Sequence, residues 1–256
     1  MKNADYTFQY VSKATEYEYT IQVYVPSETS PDDGYPIIYL LDGLSYFDFA
    51  KHVIKLQSLN TLKTKVEASI VVGVCHKEGD MREKRFYDYT APANQYIFPE
   101  HAKGKKMDLC KNGGARFFHQ FMEAELKPLI EARFRVNQNK QALYGHSLAG
   151  YYTIWCYLTH CHDFQSYIAI SPSIWWNGKE LLRYLEKADS GQLQKLFIGV
   201  GECEGFMVTD AQHFYNSIPN GKKTLFIAKE ENHASVVPAT MSRSFRFIND
   251  NDYQFH

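Results

Sequence analysis

The sequence predicts an α/β fold: a mostly parallel central sheet, helices on both faces, and antiparallel strands at its N-terminal edge. Three observations carry this. Strand-like and helix-like segments alternate along the chain, as crossover connections require. Most strand candidates are apolar throughout, which fits burial on both faces. The first two instead alternate apolar with polar residues, the pattern of a sheet edge with one wet face.

The elements follow in order. "YTFQYVS" (6–12) and "YEYTIQVYVP" (17–26) read as the antiparallel edge pair. "YPIIYLLDG" (35–43) is a buried strand stopped by Asp-Gly, and helical spacing runs from about 47 to 59. Another buried strand, "ASIVVGVC" (68–75), precedes a stretch from about 76 to 113 with no clear period, expected as an irregular, lid-like insertion. Residues 115–134 have helical spacing, with Phe117, Phe118, Phe121, Leu126 and Ile130 inward and a kink or break expected at Pro128. Strands then alternate with helices: strands at 140–144, 167–171, 195–201 and 224–230, helices at 147–159, 179–188, 207–217 and from 235. No linker, repeat or low-complexity tract interrupts residues 1–256, so a single domain is expected.

Composition narrows the function. A net charge of -1, with 45% hydrophobic and 22% charged residues, is ordinary for a globular protein and gives no general attraction to nucleic acid or anionic membrane. No apolar leader and no run of 18 apolar residues is visible. Five scattered cysteines without a CxxC pair argue against a disulfide framework. A soluble, cytoplasmic protein without nucleic-acid or membrane partners is the expectation. "CYLTHCH" (156–162) could suggest a metal, but no second ligand pair lies at a sensible spacing. Buried thiols and helix-terminal histidines are expected there, with no metal and no cofactor.

"ALYGHSLAGYYT" (142–153) carries the chemistry. It contains G-x-S-x-G between a buried strand and a helix, where a nucleophile elbow presents its serine above the sheet. The helix N-terminus beneath favours developing negative charge. Ser147 is therefore the candidate nucleophile, and it needs a base and an orienting acid. The base expected from the chain order is His233, on the loop after the last strand. His52, His119, His160 and His213 fall within or at the ends of helices, and His146 is the variable elbow position. Glu204 and, as the alternative, Glu202 follow the strand at 195–201. Asp210, Glu230, Glu231 or a bare Ser–His dyad remain open. The oxyanion amides expected are those of Leu148, just after the nucleophile, and Leu44, where Gly43 lets the chain bend. Asp42 is expected to bond within that turn.

Taken together, "YLLDGLSYF", "GGARFFHQFMEAELKPLIEARF", "ALYGHSLAGYYTI", "IAISPSIWWN", "GVGECEGF" and "ENHASVVP" resemble the putative-esterase (esterase D-like) family of α/β-hydrolases, from about residue 5 to 249. That family includes feruloyl esterases, S-formylglutathione hydrolases, mycolyltransferases and trilactone esterases acting on enterobactin-type and bacillibactin-type siderophores. The Ser-Pro-Ser-x-Trp-Trp segment (171–176) and the segment from Arg85 to Thr90 bring it nearest to the siderophore branch. The resemblance implies an α/β-hydrolase fold, with Ser147 as nucleophile, His233 as base, the acid on the 202–204 loop and the oxyanion amides at Leu44 and Leu148. Glutamate stands where many members have aspartate, so the acid's identity stays open.

The substrate expected is a small-molecule ester. Residues 76–116 hold nine Lys/Arg against six Asp/Glu, a basic cover suited to an anionic ligand such as a ferric tris-catecholate. Arg85, Tyr87, Trp175 and Trp176 are candidate substrate contacts, the aromatics for ring stacking. Acyl transfer, feruloyl or short-chain acyl hydrolysis, and a non-catalytic ligand-binding role on the same fold are the alternatives. A dinucleotide loop at "FIGVGECEGF" is disfavoured by its two glutamates and wrong glycine spacing.

Overall fold

In the computed structural model, which describes residues 4–27, 29–99, 111–219 and 221–249, eight strands form a single sheet in the order β1-β2-β4-β3-β5-β6-β7-β8. β1 (Ala4–Val11) and β2 (Glu18–Val25) pair antiparallel, and β2 joins β4 (Ile70–Cys75) antiparallel. β3 (Tyr35–Leu41), β4, β5 (Val136–His146), β6 (Ser166–Ile170), β7 (Lys195–Gly201) and β8 (Lys223–Ala228) run parallel. Every residue of β3, β4, β6 and β7 is buried, which is why these strands read as unbroken apolar runs.

Helices cover both faces. α1 (Gly43–Gln57) and α9 (Val236–Asn249) enclose a core that includes Leu40, Phe47, Ile54, Tyr144 and Phe245. After the short α2 (Thr61–Thr64) and α3 (Met81–Asp88), the larger core forms on the other face. It takes in α4 (Ala115–Phe121), α5 (Lys127–Arg133), α6 (Leu148–Thr159), α7 (Trp176–Leu185) and α8 (Phe206–Ser217). No helix among the described residues is long and apolar enough to cross a membrane. Cys75, Cys156, Cys161 and Cys203 are free thiols, and Cys110 lies outside the described residues.

Two expectations are corrected. The stretch from 76 onward is not irregular throughout, because 81–88 form α3. "MREKRFYD" is too charged to show an apolar stripe, and its anchor is polar. Asp88, fully buried, accepts from Tyr19 Oη at 2.6 Å and pairs with His76 Nε2 at 3.0 Å and Lys84 Nζ at 3.1 Å. Residues 100–110 of the expected insertion lie outside the described residues. At Pro128 the helical path does not break. A π-turn, Met122–Leu126, takes up the mismatch and leaves the proline in the first turn of α5, where a missing N–H costs nothing.

Candidate active site

Ser147 sits between β5 and α6 with φ 59° and ψ −117°, a conformation costing about 1–3 kcal/mol for a residue with a side chain. The surroundings impose it. Its N–H donates to Ile170 O at 2.9 Å, and its carbonyl accepts from Ser173 N and Tyr151 N, both at 3.0 Å. Gly145 is required because a Cβ there would stand 2.3 Å from Ala149 O, so strand and helix could not meet. The hydroxyl is thereby carried on the rigid end of the sheet rather than on a mobile loop.

His233 lies on the loop between β8 and α9, shaped by an Asx turn in which Asn232 Oδ1 accepts from Ala234 N at 2.9 Å. Its Nε2 is 3.0 Å from Ser147 Oγ, and its Nδ1 is 2.6 Å from Glu204 Oε2. Glu204 closes a single 3-10 turn after β7. Its other oxygen, Oε1, accepts from Ser171 Oγ at 2.5 Å and from Gly201 N at 2.6 Å. Burial pushes the Glu204 carboxyl up, but hydrogen bonds from His233, Ser171 and the Gly201 amide outweigh it, and the pKa falls below its ordinary value. A carboxylate so held faces His233 Nδ1, while Nε2 of the same ring faces the Ser147 hydroxyl.

The structure thus brings together Ser147, His233 and Glu204, and places Glu202 elsewhere. Glu202 is exposed, and its Oε2 accepts from Glu230 N at 2.9 Å, bracing the loop that carries His233. Ser171 and the elbow histidine, His146, were not singled out from sequence for this site. His146 packs its ring 4.6 Å from that of His233 and bonds Tyr46 Oη through Nδ1 at 2.9 Å. Burial, then the neighbouring His233, lowers its pKa to about 4, so it backs the His233 ring as a neutral group.

The turn after β3 departs from expectation in two ways. The left-handed residue is Asp42 (φ 57°, ψ 44°), not Gly43. Gly43 serves close approach instead, since a Cβ there would meet Gly73 backbone at 3.0 Å and Cys75 Sγ at 2.6 Å. Nor does the Asp42 side chain bond within its turn. It takes a two-pronged ion pair from Arg85 on α3, Nε to Oδ1 at 2.7 Å and Nη2 to Oδ2 at 2.8 Å, with Tyr89 Oη donating to Oδ1 at 3.3 Å. Leu44 and Leu148 each stand in a first helical turn, where amides lack intrahelical acceptors. The Leu44 amide lies beside the Cys75 sulfur, and neither Leu44 nor Leu148 is among the residues that line the cleft at Ser147.

A cleft of about 240 Å³ opens over these groups, lined by Asp42, Ser45, Tyr46, Met81, Arg85, His146, Ser147 and His233. Of the candidate substrate contacts, Arg85 alone lines it, with two of its nitrogens already committed to Asp42. Tyr87 lines a separate hollow with Tyr17, Lys84 and Lys111. Trp176 has no exposure and packs against Phe86, Tyr96 and Phe98, so a ring-stacking role does not fit it. Half-buried Trp175 packs edge-on against Trp176, away from the cleft lining.

The family described as "Putative esterase" matches residues 12–244. The ferri-bacillibactin esterase BesA of Bacillus subtilis is 32% identical over 244 residues, covering 90% of this chain and 84% of that one. The crystal structure of the BES protein from Bacillus cereus superposes with a TM-score of 0.85 at 35% identity, covering 96% of this chain and 95% of the other. The siderophore hydrolase EstA from Aspergillus nidulans, 23% identical with a TM-score of 0.79 over 97% of this chain and 95% of its own, shares the α/β-hydrolase fold.

Proposed function

The chain belongs to the putative-esterase family of α/β-hydrolases, and from that premise we propose that it is a serine esterase working through an acyl-enzyme on a siderophore trilactone. The observation that supports the mechanism is the continuous relay from Glu204 Oε2 through His233 to Ser147 Oγ, at 2.6 and 3.0 Å.

Ser147 Oγ attacks the ester carbonyl as its proton passes to His233 Nε2. The oxyanion that forms accepts from the Leu148 and Leu44 amides. The carbonyl–alkoxy bond then breaks, and the proton on Nε2 goes to the departing alkoxide, leaving the acyl group on Ser147. Water enters, gives its proton to Nε2 and attacks the acyl carbon; Ser147 departs with that proton and the free acid leaves. Glu204 remains ionised throughout and stabilises the imidazolium.

The substrate class is supported by the relatives, named for ferri-bacillibactin and other siderophores, and by the cleft itself. At about 240 Å³ it holds one ester arm of a large cyclic ester, with the remainder outside. Iron, when present, is cargo of the substrate.

The test is a substrate panel read by mass: apo and ferric catecholate trilactones, a feruloyl ester, S-formylglutathione and p-nitrophenyl butyrate. Linearised trilactone is the expected main product, and a fluorophosphonate probe should label the wild type but not Ser147→Ala. Turnover that survives Ser147→Ala would remove the mechanism, and preference for a feruloyl or thiol ester would remove the substrate class.

A further inference from the structure

We propose that His119, His160 and Asp163 form a metal site, distinct from the esterase cleft, that takes a borderline divalent cation such as Zn²⁺ and clasps α4 to the turn after α6. The "CYLTHCH" stretch lacks a second ligand when read along the sequence; the fold supplies it from α4. His119 Nε2 stands 3.0 Å from Asp163 Oδ2, and His160 Nδ1 stands 3.8 Å from the same atom. The three side chains each bring one ligand atom within 4.8 Å of the others. Tetrahedral Zn²⁺ with bonds of about 2.0–2.1 Å spaces its ligands roughly 3.3 Å apart. The two separations from Asp163 bracket that spacing, and the one between the histidines lies within 4.8 Å.

Two imidazoles and one carboxylate are an ordinary N/O donor set for this ion, with water completing the shell. The surroundings fit the proton bookkeeping. Metal-free, His119 Nε2–H donates to Asp163, and Nδ1 faces Tyr152 Oη at 3.4 Å and Cys156 Sγ at 3.8 Å. A metal on Nε2 moves the remaining proton to Nδ1, where the Tyr152 hydroxyl accepts it, since a hydroxyl serves either tautomer. Lys127 Nζ donates to the Asp163 carbonyl at 2.7 Å and fixes the turn. The two imidazole rings stack at 3.8 Å and 27°, so His160 must rotate away from His119 to aim Nδ1 at the ion. At 35% side-chain exposure it has room to do so, while His119 is held at 9%. Asp163, at 30%, keeps the site open to solvent.

The experiment is titration of chelator-treated full-length protein with ZnCl₂ by calorimetry, with thermal unfolding alongside. One equivalent is expected in the wild type, with Tm rising about 5–10 °C at zinc 100-fold above Kd. His160→Gln and Asp163→Asn should each weaken binding at least 10-fold and abolish that rise. Their metal-free Tm and ester hydrolysis should stay near wild type, since neither residue lines the cleft. His119→Gln is not relied upon, because that buried side chain also packs α4. The proposal is overturned if the wild type binds no zinc, or if the two exposed-side variants bind it as the wild type does.

Discussion

Ser171 Oγ donates to Glu204 Oε1 at 2.5 Å, from the end of β6 to the turn after β7. That bond, with the Gly201 amide on the same oxygen, leaves Oε2 aimed at His233. The Glu204 carboxylate is therefore held from the end of a neighbouring strand as well as by its own loop.

Removing the acid's charge should separate the two glutamates. Glu204→Gln is expected to lower kcat by about 10⁴-fold, the scale seen when a triad acid becomes an amide. Glu202→Gln should cost under about 10-fold, because it loses only a loop brace of ordinary hydrogen-bond strength. Steady-state kinetics on p-nitrophenyl butyrate would decide, and equal losses would reopen the acid's identity.

Ser171→Ala should lower kcat about 10-fold with KM little changed. A donor to the charged carboxylate is lost, so the Glu204 pKa rises toward its ordinary value. An unchanged kcat, or a loss carried by KM alone, would contradict this positioning role.

Asp42→Asn should damage both stability and catalysis. Arg85 would lose its counter-ion while its side chain keeps only 23% exposure, a cost of about 2–3 kcal/mol once that exposure is discounted. The turn bearing Leu44 would lose the tie to α3 that holds Asp42 in its left-handed conformation. Urea unfolding, together with a kcat loss larger than any change in KM, is the check.

Acid should destabilise the fold through His146. Its pKa falls from 6.5 to about 4 on folding, so between those values the unfolded chain binds a proton that the folded chain refuses. Stability then rises with pH, and it is lost as pH falls from about 6.5 toward 4, by about 3 kcal/mol in all. His146→Gln should flatten the Tm profile over that window. An unchanged slope would show that other groups set it.

Much was legible along the chain because backbone chemistry is local. G-x-S-x-G after an apolar run can hardly be anything but a tight strand-to-helix bend, and the alternation of buried strands with helices announced the sheet. The position of His233 on the loop after the last strand was legible too, and the structure places its Nε2 3.0 Å from Ser147 Oγ.

What tertiary structure alone decided depends on side chains meeting across elements. Glu204 rather than Glu202 meets His233 because it closes a 3-10 turn where Ser171, 33 residues earlier, donates to its carboxylate. α3 escaped notice because its anchor is a buried carboxylate rather than an apolar stripe, and Trp176 could not be told from a surface ring until its neighbours were in place. Sequence spacing measures distance along a chain, whereas hydrogen bonds and burial depend on distance through space. The bend that presents Ser147 is written in adjacent residues; the partners that would make it reactive are assembled only when the sheet folds.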